Sequence, residues 1–137
     1  MEGRDFLAVA KRSVCGPTEA DWRDAGGRAY YALFLETRDA LQRWGFALVR
    51  HGQIHAFVRL KFLFSSETDL KTIGRRLEKL GEMRNHADYR LDNPGRFFVN
   101  AKPAEQAILN AEDAIALLDQ IEADPTRRAA AIASITP

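Results

Sequence analysis

The sequence predicts an all-α protein, an antiparallel bundle of four to five helices. Three observations carry this. Apolar residues recur at three-and-four spacing along most of the chain, and no alternating polar–apolar run reaches strand length. Turn-forming residues gather at a few places, Gly16-Pro17, Gly45, Gly52, Ser65-Ser66, Asp92-Asn93-Pro94-Gly95 and Asp124-Pro125, which cut the chain into helix-length pieces. Long amphipathic helices joined by short connections bury their stripes by packing around one core. At 137 residues the chain reads as one helical domain over 1–124 and a tail over 125–137.

Residues 3–13 carry Phe6, Leu7, Val9 and Ala10 and predict a short first helix. Thr18 and Asp21 have the spacing of a capping box, so a long second helix begins near Glu19 and ends at Gly45. Gly26-Gly27 inside it costs about 1 kcal/mol per glycine relative to alanine. Either the helix breaks there or another backbone packs closely against it. Residues 53–64 form a third helix, and Ser65 or Ser66 caps the fourth. The fourth has the clearest stripe, Leu70, Ile73, Leu77, Leu80, Arg84, Ala87 and Leu91, and stops at Asp92-Asn93-Pro94-Gly95. The last long helix starts at Pro103 and shows Ile108, Ala111, Ile115 and Leu118 on one face. The tail after Pro125 is weakly helical at best.

Composition narrows function by exclusion. Hydrophobic residues make up 46% and charged residues 28%, which is globular rather than disordered usage. Twenty basic against nineteen acidic side chains exclude nucleic-acid binding through bulk charge, though not through a local patch. One cysteine, Cys15, excludes an internal disulfide. The N-terminus is a poor signal peptide, and no apolar stretch approaches the roughly 18 residues that span a bilayer. A soluble cytoplasmic protein is expected, with no membrane contact. The charge is nevertheless unevenly placed. Residues 40–66 hold Arg43, Arg50, Arg59 and Lys61 with no acid, while 104–124 hold six acids and no base. The basic segment faces a phosphate backbone, or the acidic helix neutralises it within the fold or across a dimer contact.

Arg84 stands out. At 3.6 residues per turn the other stripe residues fall within about 60° of it, so a guanidinium sits in the middle of an apolar face. Burying it is costly unless it is paired, and Asp88 is one turn away on the same side. Asn85 and Tyr89 lie on the adjoining flank and His86 points further round. This cluster fits two roles. The arginine can hold a phosphate while the histidine moves a proton, or the group is a buried Arg–Asp pair with a core-edge tyrosine. His51 and His55 are four apart, but two histidines with Gly52 between them and no third ligand are a weak metal signal. No Gly-rich phosphate loop, Gly-x-Ser-x-Gly elbow or His-Glu-x-x-His is present, so neither a cofactor nor a metal is expected. Tyr30, Tyr31, Leu33 and Phe34 lie inside a helical stripe and read as core.

Three segments together resemble HEPN-domain proteins. Gly27-Arg28-Ala29-Tyr30-Tyr31-Ala32-Leu33-Phe34 resembles that family's Ser/Gly-Arg-Ala-Tyr-Tyr-Ala-x-Phe helix. Glu82-Met83-Arg84-Asn85-His86-Ala87-Asp88-Tyr89 resembles its Arg-x-x-Ala-Asp-Tyr helix, and His51-Gly52-Gln53-Ile54-His55-Ala56-Phe57 resembles the element placed between them. The likeness covers about residues 5–122. It implies a HEPN-like bundle that commonly forms a homodimer, with the arginine helix lining a shared cleft. Many members are metal-independent ribonuclease toxins paired with a small nucleotidyltransferase antitoxin. Their catalytic motif is an arginine followed, after four to six residues, by a histidine. Here Arg84 matches the arginine and Asn85 the polar residue after it, but Tyr89, Arg90 and Leu91 stand where the histidine belongs. Either His86 substitutes from within the motif, His51 or His55 approaches from the preceding helix, or the subgroup binds RNA, nucleotide or a partner protein without cutting. The resemblance therefore implies binding by Arg84, Asn85, Asp88, Tyr89, His51 and His55, with Arg84 and His86 as candidate catalytic residues.

Overall fold

The computed structural model describes residues 1–136; the His51 side chain, one of the expected site groups, lies outside the described residues. Six helices follow one another: α1 (Phe6–Val14), α2 (Glu19–Arg43), α3 (Ile54–Leu63), α4 (Thr68–Tyr89), α5 (Lys102–Ala123) and α6 (Pro125–Ser134). Single 3-10 turns at Gly3–Asp5 and His51–Gln53 precede α1 and α3. No strand occurs among the described residues, and no helix there is long and apolar enough to cross a membrane. The all-α bundle is thus present with six helices rather than four or five.

The long helix α2 is the axis, with α1, α4 and α5 packed around it, while α3 covers α4 and α6 covers α5. Thr18 and Asp21 form the expected capping box at its start. At its end Phe46 N–H donates to the Leu41 carbonyl and Gly45 N–H to that of Gln42. This Schellman closure requires a left-handed residue, and Gly45 supplies it at φ 92°. The helix does not break at Gly26-Gly27. A β-carbon on Gly26 would meet Met83 Sδ at 2.8 Å and Phe98 at 3.5 Å, so close packing by α4 and the following loop accounts for that glycine. Nothing lies within 4 Å of the same position on Gly27.

Pairings across the bundle fix its directions. Gly3 packs on Leu35, Ser13 bonds Asp24 and Arg23 bonds the end of α4, so α1 and α4 both run antiparallel to α2. Arg43 pairs with Glu122, which sets the late turns of α2 beside the late turns of α5. These two helices are parallel, departing from the fully antiparallel expectation. With α4 antiparallel to both, α5 must return in the direction of α2.

Three local expectations need correction. Neither Ser65 nor Ser66 caps α4; the Glu67 carboxylate accepts from Leu70 N–H, while buried Ser65 bonds Ser134. The stripe of α4 does not reach Leu91, because the helix ends at Tyr89 and Leu91 is 72% exposed. The tail is not weakly helical. Asp124 accepts from the Thr126 and Arg127 N–H groups, Pro125 occupies the first turn, and Ala131 and Ile135 are buried on the core.

Two glycines should respond oppositely to alanine. In Gly27→Ala the methyl meets open space, and helix propensity should raise unfolding free energy by about 1 kcal/mol. In Gly74→Ala it meets the Leu63 backbone at 2.5 Å, and forcing α3 off α4 should cost about 1–3 kcal/mol. Urea titration of the two variants checks the pair, and equal effects would contradict the packing.

Candidate functional site

The position of the site follows from how α4 is held against α2. Arg23, 7% exposed, donates to four backbone oxygens: Nη1 to His86 at 2.9 Å and Ala87 at 3.1 Å, Nη2 to Arg90 at 3.0 Å and Asn93 at 2.7 Å. The last carbonyls of a helix have no acceptor role within it and carry negative partial charge, so one cation satisfies the end of α4 and the turn beyond it. Its guanidinium also lies 5.0 Å from the Phe98 ring. Sequence reasoning missed Arg23, although a signal was there. Residues 23, 26, 30, 33, 37 and 41 are spaced as one helical stripe, and all six are buried.

This crossing brings Arg84 onto Tyr31. Arg84 Nη2 donates to the Tyr31 hydroxyl at 2.7 Å, Nη1 donates to Asn85 Oδ1 at 3.3 Å, and the guanidinium carbon lies 5.3 and 5.5 Å from the Tyr31 and Tyr89 ring centres. The expected partner Asp88 is there, with Oδ2 3.0 Å from Nε. The Nε proton nonetheless has no aligned acceptor, so this contact is coulombic. Each terminal nitrogen keeps a second N–H without a protein acceptor among the described residues. Burial opposes the charge of Arg84, but Tyr31, Asp88 and Tyr89 outweigh it and hold the guanidinium firmly protonated. The side chain is 17% exposed, enough to meet a ligand.

The exposed side of Arg84 opens on a cleft of about 440 Å³, lined also by Tyr30, His55, Arg59, Glu78 and Asn85. Of the two histidines whose side chains are described, one lines this cleft. His55, from α3, lines the cleft with its ring stacked 4.1 Å from Phe34 and its Nδ1 2.6 Å from the Tyr30 hydroxyl. That bond occupies Nδ1 and leaves Nε2 for a ligand. Burial lowers the His55 pKa, and the charges of Arg84 and Arg59 lower it further. Burial likewise raises the Tyr30 phenol to about 12 against the opposing pull of Arg84 and Arg59, so it stays protonated. Tyr30 and Phe34 are core, as expected, but Tyr31 is half-buried and serves Arg84 directly.

His86 is not brought to this cleft. Its Nε2 donates to the Asn93 carbonyl at 3.0 Å, and it faces a second hollow with Arg90, Arg96 and Phe97. Asn85 lines both hollows, whereas Asp88 faces a third with Arg23 and Arg28. Tyr89 is 72% exposed. Among the described residues no three His, Cys, Asp or Glu side chains gather as metal ligands would. Among the described residues the acidic helix α5 neutralises only Arg43 of the basic segment; its Glu112 and Asp119 pair with Lys11 and Arg4. Arg59 therefore keeps its charge unpaired among the described residues.

No protein-family model, no curated protein and no solved structure matches this chain.

His55 should titrate, by NMR of its ring protons, with a midpoint below the ordinary value of about 6.5. Its contribution to stability is fully present above about pH 6.5 and is lost as pH falls through the folded-state value. Arg84→Gln removes a neighbouring cation and should move the midpoint up. An unchanged midpoint would show that the two side chains do not share a site.

Proposed function

We propose that this chain is a HEPN-type helical module whose Arg84-centred cleft binds RNA or a nucleotide, acting in a toxin–antitoxin or nucleotidyltransferase-linked system. The observation that carries the reading is the spare hydrogen-bonding capacity of Arg84. A purely structural arginine would spend its terminal N–H donors on the protein, as Arg23 does. Arg84 instead keeps N–H groups on both terminal nitrogens beside a second unpaired cation, Arg59. A planar fork with two free donors matches two phosphate oxygens. The Tyr31 and Tyr89 rings pack beside the guanidinium, which limits the side-chain freedom lost on binding. The homodimer and the nucleotidyltransferase partner belong to this proposal through the resemblance of the three motifs alone.

Losing hydrogen bonds to a charged phosphate should weaken binding of a short RNA by about 10- to 100-fold in Arg84→Ala. Circular dichroism should keep its helical signal. Arg84→Lys should recover part of the affinity, because it restores charge without the fork. Full-strength binding by folded Arg84→Ala would remove the cleft from the account.

A second reading has one observation in its favour, the His55 imidazole in the same cleft as Arg84, where burial and two cations disfavour its protonated form. In it the module cleaves RNA without a metal. When Nδ1–H donates to the Tyr30 oxygen, the Nε2 lone pair accepts the 2′-hydroxyl proton. The 2′ oxygen then bonds to phosphorus, the bond from phosphorus to the 5′ oxygen breaks, and water protonates the leaving oxygen. Arg84 offsets the charge gathering on the phosphorus oxygens. Incubation of wild type, Arg84→Ala and His55→Ala with RNA in excess chelator tests it. Cleavage by wild type alone, leaving a 2′,3′-cyclic phosphate, is the expected result. RNA binding by wild type with cleavage by none of the three would leave the binding module and reject the nuclease.

A further inference from the structure

The second hollow, on the other flank of α4, is built with as much care as the first. Its lining residues flank the turn after α4, which two side chains hold at one atom. The Asn93 carbonyl accepts from Arg23 Nη2 at 2.7 Å and from His86 Nε2 at 3.0 Å. Gly95 follows at φ 55°, and its α-carbon hydrogen faces the His86 ring so closely that a β-carbon would clash with it. Only glycine satisfies both conditions. The turn thereby projects Arg96 and Phe97 beside Arg90, around a hollow of about 430 Å³. Arg96 lies 4.8 Å from the Phe97 ring centre, and Arg90 has no side-chain partner among the described residues. The one acid present, Glu82, bonds Arg96 at 3.2 Å, but both side chains are mostly exposed and such a pair opens at little cost.

The two hollows are neighbours. Glu82 and Asn85 line both, and Arg90 follows Arg84 by six residues, about 9 Å along the helix axis. Resting on the reading of the Arg84 cleft as a phosphate site, we propose that the second hollow receives the adjoining stretch of the same strand. Arg90 and Arg96 meet its phosphates while Asn85 stands between the two subsites. The ligand is then a single-stranded polynucleotide and not a free mononucleotide. Cations on two flanks of α4, joined through Asn85 and with an aromatic ring against one of them, suit a flexible phosphodiester chain that crosses the helix end. A mononucleotide fills one subsite and leaves Arg90 and Arg96 unused.

Dissociation constants for adenosine monophosphate and for a single-stranded adenylate RNA pentamer test this on wild type, Arg84→Ala and Arg90→Ala/Arg96→Ala. Wild type should bind the pentamer at least about ten-fold more tightly than the mononucleotide. The double variant should bind the mononucleotide as wild type does and lose the pentamer's advantage. Its logarithmic salt slope should fall by about 0.7 for each lost phosphate contact. Arg84→Ala should weaken both ligands. Glu82→Gln, which frees Arg96 and removes a repelling charge, should tighten the pentamer. Equal affinity for the two ligands in wild type, both abolished by Arg84→Ala, would overturn the second subsite and leave the first. Binding of neither ligand, or binding indifferent to Arg84, would overturn both.

Discussion

The site depends on one crossing, that of α4 over the first half of α2, and on the buried arginine that locks it. Arg23 gathers four carbonyls from the end of α4 and the turn beyond. Gly26, one turn later, lets Met83 and Phe98 close onto the α2 backbone. Two turns from Arg23, Tyr31 then lies within reach of Arg84. The same clamp fixes the loop that carries Arg96 and Phe97. A cation buried at a helix C-terminus is stable because the carbonyl dipoles there supply the charge complement that water would otherwise give. Buried stability and exposed chemistry thus come from two arginines treated in opposite ways.

Electrostatics sharpen that contrast. Two of the five acids of α5 are engaged with the N-terminal segment: Asp119 joins Arg4, which also holds the buried Glu36 carboxylate, and Glu112 joins Lys11. Burial would raise the Glu36 pKa, but the Arg4 hydrogen bonds outweigh it and hold the pKa below the ordinary carboxylate value. Arg59 and Arg84 face a cleft whose acids are Glu78 and Glu82, with Asp88 beside Arg84 Nε.

Much of this was legible in the sequence. Helical spacing put Arg84 on a core stripe with Asp88 as its neighbour, and the capping box and Gly45 marked both ends of α2. What the spacing concealed has specific causes. The segment Asp124-Pro125 ends one helix and also caps the next, and reading only its first role turned α6 into a weak tail. The end of α4 was extended to Leu91 because periodicity alone does not register Arg90 leaving helical geometry. Arg23 occupies a stripe position just as Arg84 does, so the reasoning that found one reaches the other. His55 is different. Its place beside Arg84 arises from α3 folding back over α4, a long-range contact that no local pattern encodes. The resemblance offered three histidines, and only packing separates His55 in the Arg84 cleft from His86 behind the loop.

The central claim is that a phosphodiester ligand meets Arg84 from the cleft it shares with His55. The most direct measurement is an NMR titration of the isotope-labelled protein with a short single-stranded RNA, following guanidinium and imidazole signals. The account predicts saturable shifts at Arg84, Arg59 and His55, with the His55 pKa moving upward as the bound anion offsets the two cations. Shifts confined to other faces of the bundle, or none at concentrations that saturate binding, would contradict it.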